Sequence, residues 1–209
     1  MKDLAITIFV LLVSFAYFAE ADTIEENEFQ SQGVGLSVTK PNDWNFVSAE
    51  KNLENLKQIQ LDDEEFHELM LRHSTVPLVT IAKHREPYDD LNPSLKITVR
   101  PLGGLPGDQP IQILELILPQ MRSMFADFEV IQGPMELDVA GHQASYAKFH
   151  YLLETQDGNS FPTCSELWLV PRGNFFFLIG AGTRQDEKTG SRDEIQSILS
   201  SLKIEKIEN

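Results

Sequence analysis

A run without a polar break, Phe175-Phe176-Phe177-Leu178-Ile179-Gly180, constrains this chain more than any other feature. Successive strand residues point to opposite faces, so a strand that is apolar at every position needs cover on both. The run closes a set of three: His142–Leu153, a turn at Gln156-Asp157-Gly158-Asn159, Phe161–Val170, a second turn at Arg172-Gly173-Asn174, and Phe175–Ala181. Aromatic and aliphatic runs separated by Asp-Gly or Gly-Asn turns mark consecutive antiparallel strands. They predict the centre of a layered domain.

The N-terminus reads as a secretory signal peptide over residues 1–21. Lys2 precedes the apolar run Ala5–Phe18, and Ala19-Glu20-Ala21 has the small-x-small cleavage pattern. The run is shorter than the ~20 apolar residues of a membrane span. No stable membrane insertion is expected after cleavage. Residues 22–32 are acidic and read as a flexible lead-in. Residues 33–204 read as one domain, and 205–209 as a polar tail.

Within that domain, Gly33–Thr39 reads as a strand, and Pro41-Asn42-Asp43-Trp44 as a turn that returns Trp44 and Phe46 to the core. Short helices are expected over Asn52–Gln60 and from Asp62 to Met70, and strands over Leu78–Lys83 and Leu95–Arg100. Ile111–Phe128 carries the clearest helical stripe, with Pro119 expected to kink or break it near Leu118. Glu129–Gln132 and Met135–Val139 read as two short strands. Ser191 is a candidate N-cap with Glu194 in the capping-box position, opening a last helix through Leu202. Helices before and after the meander make the fold class α+β: an αβα sandwich, a central antiparallel sheet with helices on both faces.

The charge of −15, from 32 acidic and 17 basic residues, repels phosphate backbones, so nucleic acid is excluded as a partner. The one cysteine, Cys164, precludes an internal disulfide and reads as a small buried apolar residue. An exported chain without disulfides fits a bacterial envelope, most simply the periplasm.

Little in the sequence has the spacing of a reaction centre. His142 and His150 are eight residues apart on one strand, about 26 Å at ~3.3 Å per residue, and cannot share an ion. His67 and His73 point to different sides of an expected helix. His84, with Glu86, Asp89 and Asp90 nearby, is the one local group with ligand chemistry, and reads as a solvated acidic loop. Asp62-Asp63-Glu64-Glu65 reads as a solvated helix start. Gly33-Val34-Gly35 and Gly180-Ala181-Gly182 lack the rest of a dinucleotide fingerprint and read as tight turns or strand ends. Arg100, Arg172, Arg184 and Arg192 are candidates for an anionic partner group or for local ion pairs. No catalytic residue, cofactor or metal is expected.

Several local sequences resemble the PsbP/DcrB-like family of exported αβα-sandwich proteins. Gly35-Leu36-Ser37-Val38 leading to Pro41-Asn42-Asp43-Trp44 resembles its opening strand and P-x-x-W turn. Leu137-Asp138-Val139-Ala140-Gly141-His142-Gln143-Ala144 resembles the lead into its long strand, and Glu194–Leu202 its closing helix. The resemblance covers roughly Gly33 to Ile204. It implies a binding or assembly factor rather than an enzyme, since the family includes photosystem II accessory proteins, envelope lipoproteins and a Ran-binding import factor. It supplies no catalytic set, and the lipoprotein cysteine is missing here.

The expectation is therefore an exported envelope protein acting by contact with an unidentified protein partner. Its working surface would be loops at the sheet ends, with His84, Arg85, Asp89, Asp90 and Arg184 as candidate contacts. The alternative is a periplasmic small-ligand or metal-binding protein using a cleft beside the aromatic sheet.

Overall fold

The structure, a computed structural model, describes residues 22–48, 77–102, 109–186 and 188–206. The expected signal peptide over residues 1–21, the two expected helices between 52 and 70, and both His67 and His73 lie outside the described residues.

In chain order the elements are β1 (Thr23–Glu25), β2 (Glu28–Ser31), β3 (Leu36–Thr39), β4 (Asn45–Phe46), β5 (Val79–Ala82), β6 (Ser94–Pro101), α1 (Pro110–Met124), β7 (Ala126–Val139), β8 (His142–Glu154), β9 (Ser160–Arg172), β10 (Phe175–Arg184), α2 (Arg192–Ser200) and β11 (Lys203–Ile204). They build a seven-stranded sheet, β4-β5-β6-β10-β9-β8-β7, and a four-stranded one, β1-β2-β3-β11. Every pairing is antiparallel. The fold is α+β.

The uninterrupted Phe175–Ile179 run has the expected two-sided cover. Phe176, on one face, packs with Leu169 and with Ile113 of α1, while Leu114 and Leu118 of the same helix meet Ala147, Phe149 and Leu167. Phe175, Phe177 and Ile179, on the other face, join Trp168, Tyr146, Trp44 and the α2 residues Ile195 and Ile198. Phe176 and Phe177 are 1% and 0% exposed. Burying each such ring stabilises the fold by about 1.5–3 kcal/mol.

Helices thus lie on both faces, but α2 does not cover its face alone. The four-stranded sheet shares the work through Phe29, Leu36, Val38 and Ile204. Residues 22–32, expected as a flexible lead-in, contribute the hairpin β1–β2 to it. The reason is the alternation in Glu28-Phe29-Gln30-Ser31, which buries Phe29 and Ser31 and exposes Gln30. An acidic average composition conceals a short period-two strand.

Two boundaries also differ from expectation. The helix α1 runs unbroken through Pro119, whose ring sits on the exposed side. The carbonyl left without its N–H partner is that of Glu115, an exposed residue, so the break falls on the solvent side of the helix. The helix ends at Met124, where Phe125 turns extended, and Phe128 belongs to β7, tilted against Phe149 at 5.1 Å. Instead of two short strands, β7 is one 14-residue strand with three register shifts against β8. Gly133 sits at one of them with φ +84°, and a Cβ there would stand 2.4 Å from the carbonyl oxygen of Tyr146.

Candidate functional site

The β5–β6 hairpin carries the loop that holds four of the five candidate residues, and its own side chains fix its shape. Asn92 accepts from the His84 N–H at 3.0 Å, and its amide donates to the His84 carbonyl at 2.8 Å and to Glu86 Oε1 at 2.9 Å. Glu86 Oε2 accepts from the Tyr88 N–H at 3.0 Å, and the His84 and Tyr88 rings stack with centroids 4.2 Å apart. Arg85 Nε donates to Asn45 Oδ1 at 3.1 Å. Asp90 forms an ion pair with Arg184 at 2.7 Å, which ties the loop to the end of β10. Asp89 and Tyr88 remain exposed, Tyr88 at 38%.

The five candidates are therefore brought to one end of the large sheet. They do not form a ligand set. His84 stacks on Tyr88 while Glu86 and Asp90 serve Asn92 and Arg184, and among the described residues no three such side chains converge as metal ligands. His142 Nε2 donates to the Ile204 carbonyl at 3.2 Å, and His150 Nδ1 accepts from Gln185 Nε2 at 3.0 Å. Burial, with Arg192 and Lys148 nearby, holds the His150 ring below the usual histidine value.

Of the other arginines, Arg172 donates to the Glu205 carbonyl at 2.9 Å and Arg192 to the carbonyls of Arg184 and Gln185. These contacts brace the backbone. Cys164 is buried and burial pushes its thiol up, as an inert core residue requires.

On the opposite face of the same sheet end, Ser191 occupies the N-cap position of α2 but does not cap it. Its backbone is left-handed at φ 49°, and its hydroxyl accepts from Lys83 Nζ at 3.0 Å. Lys83 also meets Glu194 Oε2 at 2.5 Å, and Trp44 Nε1 donates to Glu194 Oε1 at 3.2 Å. Burial raises the Glu194 carboxyl, but hydrogen bonds from Lys83, Trp44 and Ser191 outweigh it and hold the group below its ordinary value.

Beside the loop, on the α1 side of the sheet, lies a cleft of about 840 Å³. Its floor is a ladder row: Thr80 pairs with Lys96, Lys96 with Gly180, and Gly180 with Leu167. The next row runs Ala82, Ser94, Gly182, Ser165 and Phe149. Met121 and Phe125 at the end of α1, with Tyr151, form an apolar wall. Gly180 and Gly182, expected at turns or strand ends, are mid-strand, where neither needs a positive φ. Their missing side chains leave the floor open.

In the sequence neither Lys96 nor Thr80 stands out, and the glycine pair reads as a tight turn or strand end rather than a cleft floor. Ser94, Lys96 and Thr98 alternate with Leu95, Ile97 and Val99, which marks one face of β6 as polar. That pattern was the available signal, but register alone shows that it faces Gly180 and Gly182.

No protein-family model matches the sequence, and no curated protein matches it. Among solved structures, the chain is similar to a protein from Bacteroides thetaiotaomicron VPI-5482, with TM-score 0.46 and 17% identity over 88% of this chain. That match takes in 50% of the other protein, so the chain spans about half its length. It is similar to LpqN of Mycobacterium tuberculosis, described as involved in cell envelope biogenesis, with TM-score 0.49, 13% identity, and 81% and 82% of the two chains covered. It is also similar to the cyanobacterial PsbP protein CyanoP of Synechocystis sp. PCC 6803, with TM-score 0.47, 12% identity, and 90% and 98% covered. These neighbours include a PsbP protein, the family whose motif order the sequence resembles. At these scores and identities the likenesses carry no functional inference. Among the described residues no helix is long and apolar enough to cross a membrane.

Proposed function

We propose that this chain is an exported, non-enzymatic envelope protein that acts by protein–protein contact, as an accessory or assembly factor. The observation that carries this reading is the 84–92 loop, whose shape is set by Asn92, Glu86 and the Asp90–Arg184 pair before any partner arrives. A contact surface ordered in advance loses little entropy on binding. The residue it presents, Tyr88, is of a type enriched at interfaces. An acidic chain favours a partner surface that carries basic groups. Export rests on the apolar run Ala5–Phe18 and the Ala19-Glu20-Ala21 pattern.

The test is capture of envelope proteins by the native chain and by a folded Arg85→Glu/Tyr88→Ala variant. A specific partner retained by the native chain and lost by the variant is expected. Equal capture by both, or none at any salt concentration, overturns the proposal.

A further inference from the structure

Two polar groups on the cleft floor lack partners. Thr80 is 3% exposed, and its Oγ1 is buried with no hydrogen bond. Lys96, its cross-strand neighbour, forms no ion pair with any described residue. Burial alone holds its ammonium below the usual lysine value. A buried hydroxyl without a partner destabilises the fold, and a half-buried cation without a counter-charge adds to the cost. Both groups line the same cleft.

We propose that the cleft binds a small amphipathic monoanion, a carboxylate with an apolar body, seated carboxylate-inward on Lys96 and Thr80. Directly paired strand residues have Cβ atoms roughly 4.5–5.5 Å apart, so an ammonium and a hydroxyl in that relation reach the two oxygens of one carboxylate. The ammonium supplies the counter-charge and the hydroxyl donates the second hydrogen bond. The glycine at position 180 leaves the space for it: a Cβ there would meet nothing nearer than Leu167 Cδ1 at 3.9 Å.

The rest of the cleft selects the body. Phe149, Leu167, Met121 and Phe125 offer apolar surface to a chain or ring, and the volume is that of an ordinary small-molecule site. Glu86, Asp89 and Asp90 of the 84–92 loop and Asp157 of the β8–β9 turn also line the cleft. A second negative charge at the outer end of the ligand would meet these carboxylates, so dianions and phosphorylated compounds are disfavoured. Tyr88 borders the cleft as well, but the capture experiment varies Arg85 and Tyr88 while the titration varies Lys96 and Gly180, so either proposal can fail without the other.

Titration calorimetry of the full chain with octanoate, octanol and suberate tests the assignment, because the three share a chain length and differ in charge. Octanoate is expected to bind about tenfold or more tightly than octanol or suberate. Lys96→Met is expected to remove the preference for octanoate over octanol. Gly180→Leu, at a position with open space and no positive φ, is expected to lose both ligands with its circular dichroism unchanged. No heat with octanoate, equal binding of suberate, or native octanoate affinity in either variant overturns the proposal. Should Gly180→Leu not fold, Lys96→Met decides alone.

Discussion

Trp44 and Glu194, 150 positions apart in the chain, are joined by a 3.2 Å hydrogen bond from the indole N–H to the carboxylate. The bond fixes the Pro41–Trp44 turn against the first turn of α2, and Lys83 adds the end of β5 to the same carboxylate. Three segments remote in sequence thus share one acceptor.

Acid titration reads this junction directly. The Glu194 carboxyl is held below its ordinary value in the folded chain, so its contribution is present above the unfolded carboxylate range and is lost as pH falls through the folded value. Glu194→Gln is expected to cost about 1 kcal/mol near neutrality, with the deficit shrinking below pH ~4. Urea unfolding at pH 7 and pH 3 checks it. A deficit equal at both pH values contradicts the role.

Tyr146 donates a 2.6 Å hydrogen bond to the buried Glu166, which also accepts from Gln196 of α2. Burial, and then the Glu166 carboxylate, push the phenol above its usual range, so it stays protonated and donating through mildly alkaline pH. Tyr146→Phe leaves a buried carboxylate short of a donor, and a loss of about 1–3 kcal/mol is expected by chemical denaturation. An unchanged midpoint would show that water replaces the hydroxyl.

Gly133→Ala faces two obstacles, a positive φ and a carbonyl oxygen within 2.4 Å of the new Cβ. It is expected to destabilise by more than ~1 kcal/mol, whereas Gly141→Ala, with nothing within 4 Å of its Cβ, meets only the backbone cost. Comparing their thermal midpoints separates crowding from conformation. Equal shifts would remove the crowding term.

Lys96→Met is expected to stabilise the ligand-free chain by about 1 kcal/mol or more at neutral pH, by removing an uncompensated cation. The sign follows from linkage. With the folded value lowered, the unfolded chain holds the extra proton, so native stability rises with pH up to the ordinary lysine value. The advantage of the variant is therefore expected to shrink at alkaline pH in denaturation series. A constant advantage from pH 7 to 10 would contradict it.

The strands β8, β9 and β10 were legible because their cause is local. Long apolar runs such as Phe175–Ile179 and turn residues such as Gly158 and Gly173 lie side by side in sequence. Trp44 was placed in the core on the same kind of signal. The second sheet was not legible, since β11 is two residues long and β1 is exposed throughout. Phe128 continued the helical stripe by spacing alone, and only the extended backbone at Phe125 and the left-handed Asp127 show where the helix stops. The loop candidates His84 to Asp90 were neighbours in sequence, so they were found together. Thr80, Lys96 and Gly180 meet only through the register of three strands, which composition and periodicity do not encode.

The pairing of β11 with β3 has a consequence for how the chain is made. Ile204 lies opposite Leu36, the Glu205 N–H donates to the Gly35 carbonyl, and Arg172 and His142 grip the same closing segment. During vectorial synthesis the strand that seals the smaller sheet is translated after every other described element. Until it emerges, Leu36 and Ser37 keep an open edge, and the nascent polypeptide carries an unlatched flank that β11 closes.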